Sequence, residues 1–120
     1  MANPFVHVEL NTQNVAAAKS FYQSMFAWKL NDADMGDMTY TMIDVGEGTG
    51  GGMMQYPMQG APSMWLPYVL VDDIAAATAK ARSLGATVVR DVMEVKDAGS
   101  LSIITDPTGA TLGMWQPKGK

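Results

Sequence analysis

One stretch of this chain is written twice, and that limits what it can fold into more than any other feature. Asn14, Val15, Ala16, Ala17, Ala18 and Lys19 are matched 59 positions later by Asp73, Ile74, Ala75, Ala76, Ala77 and Thr78. Each copy follows a strand-like run, and Asn14 and Asp73 stand where a side-chain oxygen can cap the helix that begins after them. The apolar stripes agree as well. Val15, Ala18, Tyr22 and Met25 recur at helical spacing, and Ile74, Ala77, Ala81 and Leu84 repeat them at the same offset. A duplicated unit of this kind builds one domain from two similar halves, with a natural ligand place between them.

The flanking runs extend the parallel. In residues 5–11, Val6, Val8 and Leu10 form one apolar face, and Phe5, His7, Glu9 and Asn11 form the other. Strands are predicted at 39–45 and 51–56 in the first half, with a loop and short strand over 26–30 and a polar turn at 31–37. The second half places strands at 66–71, 86–90, 101–105 and 110–115, and Gly85 supplies the left-handed residue that ends a helix. Each half reads as β-α-β-β-β. The predicted fold class is α+β: two tandem modules, 4–57 and 65–117, joined by a linker at 58–64 within a single domain of 1–120. They form a cupped mixed sheet with one helix covering each module. The glycines at 46 and 48 and from 50 to 52 lack the Lys-Ser/Thr and the downstream helix of a phosphate loop, so they read as a hairpin turn.

Composition narrows the chemistry. With 120 residues, 48% of them hydrophobic and 17% charged, the chain suits one folded domain. It has no cysteine, which removes disulfides, thiolate nucleophiles and thiolate zinc sites. A formal charge of −4 argues against a nucleic-acid partner. No apolar run reaches the roughly 18 residues of a membrane span, and no basic-then-apolar leader opens the chain. The reading is a cytoplasmic protein without a membrane partner. Eleven methionines serve either as core filler or as a deformable pocket lining.

The segments at 7–12 (HVELNT), 18–22 (AKSFY), 25–28 (MFAW), 71–74 (VDDI), 84–85 (LG) and 106–109 (DPTG) resemble the vicinal oxygen chelate superfamily. That superfamily includes glyoxalase I, extradiol dioxygenases and bleomycin resistance proteins. The resemblance covers roughly residues 4–117 and implies a cupped half-barrel, commonly in a homodimer. It also implies four metal-ligand positions, on the first and last strand of each module. The repeat carries these onto His7 and Leu66 and, aligning residues 53–57 with 113–117, onto Met53 and Gly113. Leucine and glycine side chains donate nothing, and a thioether is a poor ligand for hard divalent ions. The expectation is therefore a domain without metal or other cofactor.

The predicted cup lining is His7, Glu9, Tyr40, Met42, Met53, Gln55, Leu66, Tyr68, Leu70, Asp72, Gly113 and Trp115. His7 there is a hydrogen-bonded structural histidine, a ligand contact, or an acid–base partner of Glu9. The three tryptophans line the pocket or fill the core and dimer interface. The functional expectation is metal-independent binding of a small, partly apolar organic molecule, as in bleomycin resistance proteins. The alternative is a glyoxalase-like lyase or isomerase, or a dioxygenase, using His7 and Glu9 with an atypical metal.

Overall fold

The computed structural model describes residues 2–36 and 38–119. Among them run eight strands and two helices in the order of two β-α-β-β-β modules. The first module comprises β1 (Phe5–Thr12), α1 (Val15–Met25), β2 (Lys29–Asp34), β3 (Thr39–Asp44) and β4 (Gly51–Gln55). The second comprises β5 (Met64–Leu70), α2 (Ile74–Ser83), β6 (Thr87–Val95), β7 (Gly99–Thr105) and β8 (Thr111–Pro117). The chain divides into two compact units, His7–Leu66 and Met1–Val6 with Pro67–Lys120, so the boundaries fall inside β1 and β5. Among the described residues no helix is long and apolar enough to cross a membrane.

In the first module the strands lie in the order β2-β3-β4-β1. β1 and β4 are parallel, and β2, β3 and β4 are antiparallel neighbours. Asn14 caps α1 by accepting from the Ala17 amide at 3.0 Å. The helix lays Val15, Ala18 and Tyr22 on a core of Leu10, Ile43 and Met53. Trp28 and Trp65 stack edge-to-face at 6.4 Å and close that core around Tyr22. Two of the three tryptophans are thus packing residues of the helix side. Residues 58–63 are tied down by Gln13, whose Nε2 donates to the carbonyls of Met58 and Ala61 at 3.0 and 2.8 Å.

The second module repeats the plan as β5-β8-β7-β6. Asp73 caps α2 through the Ala76 amide at 3.1 Å, and α2 lays Ile74 on Val71, Ile104 and Met114. Gly85 takes φ +100°. The Gly85 and Ala86 amides then return to Arg82 and Ala81, which satisfies the last carbonyls of the helix.

Three expectations are corrected. Residues 31–34 extend a strand instead of turning, because β2 is a terminal strand whose polar side chains face water or α1; Asp37 lies outside the described residues. β6 runs five residues beyond 90, through β-bulges flanking Arg90. The fourth member of each helix stripe overshoots: Met25 and Leu84 are 56% and 67% exposed. Both sit in or past the last turn, beyond the strands that the helix covers.

Candidate functional site

Alternation along a strand sends successive side chains to opposite faces. Leu10 pairs with Met53 and turns toward α1, so Glu9 and its partner Gly52 turn away from it. Met42, paired with Gly52 from the other side, joins them. Two residues along each strand lie His7, Asn11 and Tyr40. This sheet face of the first module therefore gathers His7, Glu9, Asn11, Tyr40 and Met42.

The arrangement depends on Gly52. A Cβ there would fall on the ring and hydroxyl of Tyr40. Glycine lets the phenol lie across β4 and deliver its hydroxyl between two partners. The Tyr40 oxygen stands 2.7 Å from His7 Nε2 and donates to Glu9 Oε1 at 3.0 Å. Glu9 Oε2 accepts from Asn11 Nδ2 at 3.1 Å. Glu9 and Asn11 are both buried, so these bonds replace water that the carboxylate has lost. A phenol has one proton; once it goes to Glu9, the oxygen accepts from His7, which selects the Nε2–H tautomer. Tyr40→Phe keeps the ring and strips both partners of the hydroxyl. It is expected to cost about 1–3 kcal/mol, read from urea unfolding, and to shift the His7 ring nitrogen signals.

Burial holds the His7 imidazole below its ordinary pKa. The unfolded chain therefore takes up the proton first as pH falls, and stability drops as pH descends through about 6.5. His7 is the only histidine, which isolates the effect. Between about pH 7.5 and 5.5 the native urea midpoint is expected to fall further than that of His7→Gln. Parallel slopes would show that His7 is not desolvated.

The structure separates other residues predicted for this face. Met53 is wholly buried between Leu10 and Ile43 on the helix side. Gln55 shares that side, donates to the Gln13 carbonyl at 3.1 Å, and lines a cleft of about 420 Å³ under α1 that omits His7, Glu9 and Tyr40. A slip of one residue along β4 flips every side chain to the other face, and the alignment at 53–57 was one residue out. Asn11, with its bond to Glu9, was missed as a site residue, although alternation already placed it on the His7 face.

In the second module Tyr68 pairs with Gly113, and a Cβ at Gly113 would land on the Tyr68 ring. Leu66 and Tyr68 are buried and Trp115 is half-buried. Both modules thus seat a tyrosine over a last-strand glycine. Gly52 and Gly113 are 61 positions apart, and Gly-Met-x-Gln follows at both. That short match was the signal available in the sequence for the correct register.

The four metal positions implied by the resemblance then hold His7, Gly52, Leu66 and Gly113. One imidazole, two glycines and a leucine do not make a divalent-metal donor set. Among the described residues no group of three or more His, Cys, Asp or Glu is placed to hold a metal ion.

Over 114 residues the chain is 36% identical to proteins of Mycobacterium tuberculosis and Mycobacterium bovis named "Putative glyoxylase CFP32"; the match covers 91% of this chain and 44% of theirs. The chain thus spans less than half the length of these curated relatives. The hypothetical protein BH1468 of Bacillus halodurans C-125 superposes with a TM-score of 0.75 at 12% identity, covering 100% of this chain and 98% of that one. Methylmalonyl-CoA epimerase from Mycobacterium tuberculosis gives 0.70 at 15%, covering 94% and 87%. At such identities these two structures speak for the fold alone. The matching family profile covers residues 5–114, most of both modules, and the chain belongs to the Glyoxalase/Bleomycin resistance protein/Dioxygenase superfamily.

Proposed function

We propose that the His7–Glu9–Tyr40 face binds a small, partly apolar organic molecule without a metal, in the manner of bleomycin resistance proteins. The observation that carries this reading is the Tyr40 hydroxyl seated between His7 and Glu9 over Gly52. It fills the space that a last-strand ligand side chain would need and engages the one imidazole and the carboxylate nearest to it. Met42, 44% exposed on the same face, adds a deformable apolar wall. A few polar groups beside adaptable apolar surface suit a small organic ligand. Tyr68 and Trp115 are proposed as ligand contacts of their own module, and the chain is proposed to pair as a homodimer.

The test follows the lone histidine ring and the Met42 methyl by NMR while a panel of small organic molecules is added in the presence of EDTA. At least one compound is expected to shift both signals saturably, and His7→Ala is expected to weaken it. Stoichiometric nickel, zinc, iron or manganese that is lost in His7→Ala would overturn the proposal. It would favour a lyase, isomerase or dioxygenase using His7 and Glu9 with an atypical metal.

A further inference from the structure

The duplicated fold offers an internal comparison on the helix side, away from the His7 face. In the second module Thr78 of α2 and Ser102 of β7 meet directly at 2.9 Å, with side chains 1% and 0% exposed. Thr78 also donates to the Ile74 carbonyl at 2.7 Å. Helix and sheet are pinned shut at that point.

The same two places in the first module hold Lys19, 59 positions earlier, and Thr41, 61 positions earlier. No hydrogen bond joins them directly. Asp32 of β2 stands between them, taking 3.0 Å bonds from Lys19 Nζ on both carboxylate oxygens and a 2.8 Å bond from Thr41 Oγ1 on Oδ1. The Thr41 hydroxyl bond, then that of Lys19, holds the Asp32 carboxyl below its ordinary pKa. In the second module the register opposite Ser102 is broken by the bulge between Arg90 and Met93, and Asp91 there turns outward to Arg82 at 3.2 Å. Where one module closes, the other keeps the 420 Å³ cleft, walled by Val15, Met38 and Pro57 and floored by Lys19, Asp32 and Thr41.

We propose that this cleft between α1 and the β2–β3 hairpin is a second ligand site, for a small apolar molecule with a neutral amide head. The volume falls in the range of small-molecule pockets. An ammonium has three donors, two of which go to Asp32; Asp32 Oδ2 accepts one bond and has room for another. The pair thus offers a donor beside an acceptor, the complement of an amide. A carboxylate would have to compete with Asp32 for Lys19, and an ammonium with Lys19 for Asp32. A neutral head leaves the ion pair in place while its tail covers the apolar walls.

The test is a backbone-amide NMR titration with hexanamide, hexanoate and hexylammonium as probes. Hexanamide is expected to shift Val15, Asp32 and Thr41 saturably, at least tenfold more tightly than either charged probe. The double variant Lys19→Thr/Thr41→Ser installs the residues that close the second module, and is expected to abolish the response while keeping a dispersed spectrum. Asp32→Ala leaves the cleft open but removes the acceptor; it is expected to weaken hexanamide at least tenfold, and carries the test should the double variant not fold. Equal binding of the charged probes, an undiminished response in Asp32→Ala, or shifts confined to His7 and Tyr40 would overturn the proposal.

Discussion

Gly52→Glu, which places a carboxylate at a last-strand ligand position, is expected to unfold the site instead of building a metal centre. The new Cβ lands on Tyr40, so the ring has to leave β4 or the strands have to part. Overpacking of a fitted contact costs about 1–3 kcal/mol. Removing the hydroxyl from buried Glu9 and half-buried His7 adds about 1–3 kcal/mol, for a combined loss of roughly 2–6 kcal/mol. Urea unfolding measures it. The double variant Tyr40→Ala/Gly52→Glu provides the control, because without the ring the glutamate has space. It should be less unstable than the sum of the two single changes, the sign expected of residues in contact. Additive losses would mean that the ring does not occupy the place above Gly52.

The fold was legible in the sequence because duplication states the same instruction twice. Asn14 and Asp73 both cap, Val15 and Ile74 both start a buried stripe, and two such agreements at one offset are hard to reach by chance. The site was less legible because the offset is not constant. It is 59 at the helices and 61 at the last strands, since the second module carries a longer, bulged β6. Met53 and Met54 hide the change: sliding by one residue exchanges methionine for methionine, and hydrophobicity registers nothing. Helix-side polar groups were also out of reach. Nothing in the spacing of Lys19, Asp32 and Thr41 says that an edge strand, read as a polar turn, brings Asp32 to both.

The register itself yields the second large effect. Met53 and Met54 are neighbours of identical chemistry that the pleat sends to opposite faces. Met53 is fully buried, with Leu10 opposite on β1 and Thr41 opposite on β3. Met53→Ala leaves a cavity in a core with little freedom to collapse, and is expected to cost about 2–5 kcal/mol. Met54 pairs with Asn11 and is only half-buried, so Met54→Ala is expected to cost about 1 kcal/mol or less, as partly exposed truncations do. The ligand response of His7 should show the reverse order, unchanged in Met53→Ala and altered in Met54→Ala. Were Met53 a pocket residue beside Glu9, as the alignment at 53–57 implies, its truncation would be mild for stability and severe for binding. The two measurements together therefore decide which face of β4 carries the site.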